Sequence, residues 1–166
     1  YSDNFIGLPR ETDGPISDGG LFPFPQRMNG EAPKPHTDMG WPITPDGLED
    51  LLLRVWSDWP EFQNIAITEN GAAYDDGPDA NGEVNDRRRI DYLKSHLEAA
   101  ARAIGKGVPL KSYYAWSLMD NFEWAEGYDK RFGIVYVDFK TLKRTLKNSA
   151  KVFSSIIDSN RAALLK

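Results

Sequence analysis

The sequence predicts an α/β chain in which parallel strands are joined by crossover helices, and two observations carry that expectation. Apolar residues recur at helical spacing in three separate segments, and two short apolar runs lie between those segments. The resulting order of helix, strand, helix, strand, helix is the one in which each strand feeds a crossover to a parallel neighbour. No internal repeat at the periods of solenoids or propellers competes with it.

The first helix is signalled at Thr44-Pro45-Asp46-Gly47, a hydroxyl residue for the N-cap followed by proline where its missing N–H goes unneeded. Leu48, Leu51, Leu52, Val55 and Trp56 give it one buried face, and Pro60 stops it. Asn64-Ile65-Ala66-Ile67-Thr68 then reads as a short buried strand running into Glu69-Asn70-Gly71, with Asn70-Gly71 a turn dipeptide. A polar stretch from Asp75 leads to a long helix over about 86–103, with Ile90, Leu93, Leu97, Ala100 and Ala101 on one side and Gly105 or Gly107 at its end. Arg87-Arg88-Arg89 is expected to be its solvated start. Val108 to Leu118 is the second strand, Phe132 to Phe139 a short extended segment, and Thr145 or a neighbour caps a final helix that packs through Ala150, Phe153, Ile156 and Ile157.

Ahead of the first helix, residues 2–40 contain six prolines and six glycines and no sustained periodicity. A loop that long is uncommon in a compact domain unless it is disordered or functional. Its interspersed Phe5, Ile6, Leu8, Leu21, Phe22 and Phe24 favour a packed surface loop.

Composition narrows the function classes. A formal charge of −5 and no basic block longer than Arg87-Arg88-Arg89 give no attraction to a phosphate backbone or an anionic membrane, so neither nucleic acid nor membrane is an expected partner. No apolar run approaches the roughly 18 residues of a membrane span, and Tyr1-Ser2-Asp3-Asn4 is not the start of a signal peptide. The chain reads as though cut from something longer. The absence of cysteine excludes disulfides and thiolate metal sites and suits a cytoplasmic location. His36 and His96 are too few and too far apart for a metal cluster, so no metal and no cofactor are expected.

Two segments carry chemistry. Glu69 lies at the C-terminal end of an apolar strand, where sites form in α/β proteins. By position alone it is either a site residue or a solvated neighbour of a turn. The second segment, Trp116-Ser117-Leu118-Met119-Asp120-Asn121-Phe122-Glu123-Trp124, sets two indoles and two carboxylates beside the end of the next strand. Indole faces stack on the C–H faces of sugar rings, and carboxylates accept hydrogen bonds from sugar hydroxyls. Alone, that segment is equally readable as core tryptophans beside an exposed glutamate.

Taken together, Ile67-Thr68-Glu69-Asn70-Gly71 resembles the nucleophile motif of family 1 glycoside hydrolases, and Trp116 through Trp124 resembles their glycone-binding segment. The likeness continues through Tyr128-Asp129-Lys130-Arg131-Phe132-Gly133-Ile134-Val135-Tyr136-Val137-Asp138. It implies that residues 1–166 are the C-terminal portion of a single (β/α)8 TIM-barrel glycosidase domain, with 2–40 a long active-site loop within it, since a complete barrel typically needs about 250 residues.

The resemblance further implies a β-glucosidase that hydrolyses terminal β-glucosyl residues with retention, the activity type that degrades cellulose fragments. Glu69 would be its nucleophile and Tyr1 a hydrogen-bond donor to that nucleophile. Trp116 would be a stacking platform, and Glu123 and Trp124 would bind hydroxyls of the first sugar. Phe132 would line the same subsite, and Trp41, in Met39-Gly40-Trp41, would line the subsite for the leaving group. The expected partners are a β-glucoside or oligosaccharide substrate, the N-terminal remainder of the barrel, and a second copy in a homo-oligomer. In one respect the sequence departs from the family. The acid/base glutamate belongs to an Asn-Glu-Pro motif that occurs nowhere in these 166 residues. The alternative reading is therefore a carbohydrate-binding fragment without catalysis.

Overall fold

A computed structural model describes residues 35–159. Its elements in chain order are α1 (Pro45–Asp58), β1 (Ile65–Asn70), α2 (Arg87–Gly105), β2 (Leu110–Ala115), β3 (Val135–Val137), β4 (Arg144–Leu146) and α3 (Asn148–Asp158). β1 and β2 pair in parallel, Ile65 with Leu110, Ile67 with Tyr113 and Asn70 with Ala115, and α2 is the crossover between them. β3 and β4 form an antiparallel hairpin.

The apolar core lies where α1 and α2 meet one face of the parallel pair. Leu52, Ile67, Ala100, Ala103 and Val108 are buried together, with Leu48, Leu53, Trp56, Ile65, Leu110 and Tyr113 packed around them. Alanines at 99, 100 and 103 let α2 approach closely. Glu49 of α1 pairs with Arg102 and Lys106, at the end of α2, and so fixes the two helices against each other. Gly107, at φ +102°, supplies the left-handed residue that turns the chain from α2 toward β2.

Three sequence expectations need correction. The buried face of α2 is Arg89, Tyr92, Leu93, His96, Ala99, Ala100 and Ala103, rotated from the expected stripe. Counting only apolar residues misplaced it, because this face buries polar groups that find partners: His96 Nδ1 lies 2.8 Å from the Tyr92 carbonyl, and the two rings stack at 3.9 Å. Asn70-Gly71 is not a turn. Asn70 ends β1, and a Cβ on Gly71 would lie 1.6 Å from the Trp116 carbonyl oxygen, so glycine is there for close backbone approach. Thr145 lies in β4 rather than capping a helix, and α3 turns Ile156 inward and leaves Ile157 63% exposed.

Arg89 is the largest departure. Instead of a solvated helix start, its side chain is only 2% exposed and forms ion pairs with Asp86 and Asp76. Asp76 also pairs with Lys147 at 2.6 Å, Lys147 reaches Asp120 at 3.0 Å, and Asp120 meets Arg131 at 2.7 Å. Three carboxylates and three cations thus form one charge-balanced interior network. Asp86 also accepts from the Ser149 N–H at 2.8 Å, satisfying an amide that the first turn of α3 leaves open. Burial, together with the nearby Arg89 charge, pulls the Lys147 ammonium below its ordinary pKa, and Asp120 and Asp76 oppose that pull.

Removing one member of such a network strands the others in a medium that solvates them poorly. Arg89→Ala is therefore expected to lower the unfolding free energy by about 3–5 kcal/mol. Arg87→Ala, at the exposed start of the same helix, should shift it by less than about 0.5 kcal/mol. Urea unfolding of both variants checks this, and equal shifts would rule out the interior role of Arg89.

Candidate active site

The site begins at the end of β1, where burial decides which side chains turn outward. Ile67 and Asn70 are buried, while Thr68 and Glu69 are exposed. Asn70 is held twice: its side-chain oxygen accepts from the Tyr113 hydroxyl at 2.6 Å, and its carbonyl accepts from the Trp116 N–H at 2.8 Å. Between the buried Ile67 and the pinned Asn70, Thr68 and Glu69 stay exposed at the end of β1.

The Trp116–Trp124 segment follows β2 directly and is tied to residues 132–137. Ser117 N–H donates to the Phe132 carbonyl at 3.0 Å, Ile134 N–H to Ser117 at 2.9 Å and Asp120 N–H to Val135 at 3.0 Å. The Asp120 carboxylate accepts from the Gly133 N–H at 2.9 Å as well as from Arg131 and Lys147. A Cβ on Gly133 would lie 2.1 Å from the Asp120 nitrogen, so this crossing too requires glycine. The peptide bond between Trp116 and Ser117 is cis. Beyond it, a 3-10 turn over Trp124–Glu126 is closed by the Glu123 N–H bonding to Gly127 at 2.6 Å.

These ties bring Glu69, Trp116 and Glu123 together. Partial burial pushes the Glu123 carboxyl above its ordinary pKa; a hydrogen bond from the Trp116 side chain works against that, and the negative charge of Glu69 adds to it. Trp116 keeps 37% of its surface exposed, enough to offer a face to a ligand. Phe132 is buried, and its ring meets that of Trp41 at 6.0 Å with a 46° tilt. Trp124 stands 83% exposed on the turn, at φ +42°. Tyr1 and residues 2–34, and with them most of the proline-rich loop, lie outside the described residues. No group of metal-binding side chains occurs among the described residues.

Sequence reading missed the residues that hold these groups. Asp120 lies inside the recognised segment, yet its cations are 11 and 27 positions away, and nothing local marks it as buried. Arg89 lay in a run of charge that ordinarily signals solvent. Its guanidinium also donates to the Ala72 carbonyl, to Phe132 at 3.2 Å and to Arg131 at 2.9 Å. It therefore joins the chain just after Glu69 to the chain around Phe132. What results is an acidic, aromatic-flanked surface able to accept hydroxyl hydrogens and to stack against a ring.

Residues 23–162 match the sequence profile of glycosyl hydrolase family 1. A 1,4-beta-D-glucan glucohydrolase of Thermotoga neapolitana is 54% identical over 126 residues, covering 76% of this chain and 28% of that protein. Beta-glucosidase A of Acetivibrio thermocellus is 54% identical over 124 residues, covering 75% and 28%. A 6-phospho-beta-galactosidase of Clostridium acetobutylicum is 49% identical over 123 residues, covering 74% and 26%. The family 1 β-glucosidase of Thermotoga maritima, solved with isofagomine lactam, superposes with a TM-score of 0.76 at 52% identity over 78% of this chain and 29% of its own. The chain thus spans less than a third of the length of these relatives.

Because Glu123 is more readily ionised in water than in this site, its charge opposes folding once the pH rises above its unfolded pKa, and that opposition is complete above the folded one. Glu123→Gln is expected to leave the thermal midpoint at neutral pH unchanged or raised, while weakening sugar binding. Calorimetry for the midpoint and titration with a glucose analogue check the two halves, and a lowered midpoint with intact binding would contradict the assignment.

Proposed function

This chain belongs to glycosyl hydrolase family 1, and its fold is the C-terminal portion of a (β/α)8 barrel; from that premise we propose that it serves a retaining β-glucosidase acting on terminal β-glucosyl residues, with Glu69 as nucleophile. The observation that carries the reading is the convergence of Glu69, Trp116 and Glu123 at the ends of adjacent parallel strands. The names of relatives that act on glucosides and glucans support it.

In the first step the Glu69 carboxylate attacks the anomeric carbon. The bond to the leaving oxygen breaks, and a general acid gives that oxygen a proton. In the second step the same group, now a base, takes a proton from water, whose oxygen displaces Glu69 and releases the sugar with its configuration retained. Asn-Glu-Pro is absent from these 166 residues, so the acid/base group is assigned to the rest of the barrel, the proposed partner of this portion. Trp116 supplies a stacking face, Glu123 and Trp124 bind hydroxyls, Phe132 backs the pocket, and Trp41 faces the leaving group.

One relative is named for a phosphorylated substrate, so identity alone does not choose the sugar. Glu123 favours an unphosphorylated one, because two carboxylates close enough to influence each other make a pocket that repels a phosphate dianion.

In the complete barrel, Glu69→Gln should lower kcat on an aryl β-glucoside by more than about 10⁴-fold while binding of a glucose-shaped inhibitor persists. Unchanged turnover would remove Glu69 from its role. Binding without hydrolysis by the unsubstituted protein would favour a carbohydrate-binding unit instead.

A further inference from the structure

Residues 36–42 form a tight turn that is anchored chiefly through one residue, Asp38, by both its carboxylate and its backbone. Within the turn, Thr37 N–H donates to the Trp41 carbonyl at 2.9 Å, and the Thr37 hydroxyl oxygen accepts from the Met39 and Trp41 N–H groups, each at 3.3 Å. Gly40, at φ +74°, makes the reversal. These bonds give the turn its shape and leave its placement open. Placement comes from Asp38. Its carboxylate accepts from the Asp75 N–H at 2.6 Å and pairs with Arg88 at 2.8 Å. Its own N–H donates to the Ala73 carbonyl at 3.0 Å, and its carbonyl accepts from Lys130 Nζ at 2.8 Å.

These four contacts have unequal reach. Ala73 and Asp75 follow Glu69 by four and six residues on the same chain, so Asp38 ties the turn to the segment leaving the nucleophile strand. Lys130 immediately precedes Arg131 and Phe132, so the same residue ties the turn to the wall that Trp41 meets. Arg88 sits on the Tyr74 ring at 4.4 Å and donates to the His36 carbonyl at 3.1 Å, which closes the clasp from the α2 side. Trp41 therefore takes its position from a residue three places away that does not itself meet the Trp41–Phe132 ring pair, and two of that residue's four ties, those to Asp75 and Arg88, run through its carboxylate.

We propose that Asp38 is a positioning residue for the leaving-group side of the pocket, fixing where Trp41 stands relative to Glu69 and Phe132. The inference rests on the glycosidase reading above, in which Trp41 faces the leaving group. It assigns leaving-group discrimination in part to a clasp outside the buried apolar core of α1, α2 and the parallel strands. A purely structural role would slow every substrate alike. A positioning role falls on substrates whose leaving group needs the Trp41 wall.

The test compares two substrates in the complete barrel. One is β-glucosyl fluoride, whose leaving atom needs almost nothing from that wall; the other is a β-1,4-linked glucose disaccharide. Asp38→Ala is expected to lower kcat/KM for the disaccharide about tenfold, the scale on which small misplacements act, and to leave the fluoride within about twofold. Arg88→Leu, which opens the clasp from the other side, should give the same selective pattern at smaller amplitude, and it decides the matter if Asp38→Ala does not fold. Equal losses on both substrates, or no loss on either, would overturn the inference while leaving the glycosidase reading intact. If the unsubstituted barrel hydrolyses neither substrate, both fall together.

Discussion

The carboxylate of Asp120 is the constraint on which the rest of this structure depends. It is buried inside the segment that carries Trp116, Glu123 and Trp124, and a buried charge persists only where partners replace the water it has lost. Arg131 and the N–H of Gly133 do so from one stretch of chain, and Lys147 does so from another. Through Lys147 and Asp76 the requirement passes to Arg89, and through Arg89 to the carbonyls on either side of the pocket. The apolar core beneath holds the helices to the strands. The interior charges hold the pocket's loops to one another, in directions that nonpolar contacts leave unspecified.

That division explains what could be read from the sequence. The three helices and two parallel strands were legible because each is a local apolar pattern, and α1, β1 and α2 are also ended by Pro60, Gly71 and Gly107. Glu69, Trp116 and Glu123 were legible as a group because they fall on successive strand ends. Arg89 was not, since a triple arginine has the same composition whether its last residue faces water or two buried carboxylates. The β3–β4 hairpin was missed for a related reason. Phe132, Gly133 and Ile134 belong to the same extended run, but their backbone groups bond partly to residues around 117, so only Val135–Val137 is left to pair with Arg144–Leu146. Gly71 gave a misleading signal. A glycine after asparagine ordinarily marks a turn, and here it marks a place where two backbones nearly touch.

The pocket and its scaffold treat charge in opposite ways. In the interior every carboxylate faces a cation. At the site, partial burial raises the pKa of Glu123, the Trp116 side chain works against that, and the charge of Glu69 adds to it, with no cation among the causes. A carboxylate whose charge is penalised by burial, in a protein that pairs its other buried charges with cations, is the pattern expected where a ligand's hydroxyls supply the missing donors.

The position of Lys147 in the chain also bears on how the molecule is made. Asp76 and Asp120 leave the ribosome first, and the ammonium that joins them follows 71 residues after Asp76. At the usual pace of synthesis, about 5–20 residues per second, Asp76 waits roughly 4–14 s for Lys147, and Asp120, 27 residues ahead of it, roughly 1–5 s. Until Lys147 has emerged, Asp120 lacks one of its two cations and its link to Asp76 is missing. Completion of the site is therefore a late event in biosynthesis, and a stalled or prematurely ended chain would carry the nucleophile without the geometry to use it.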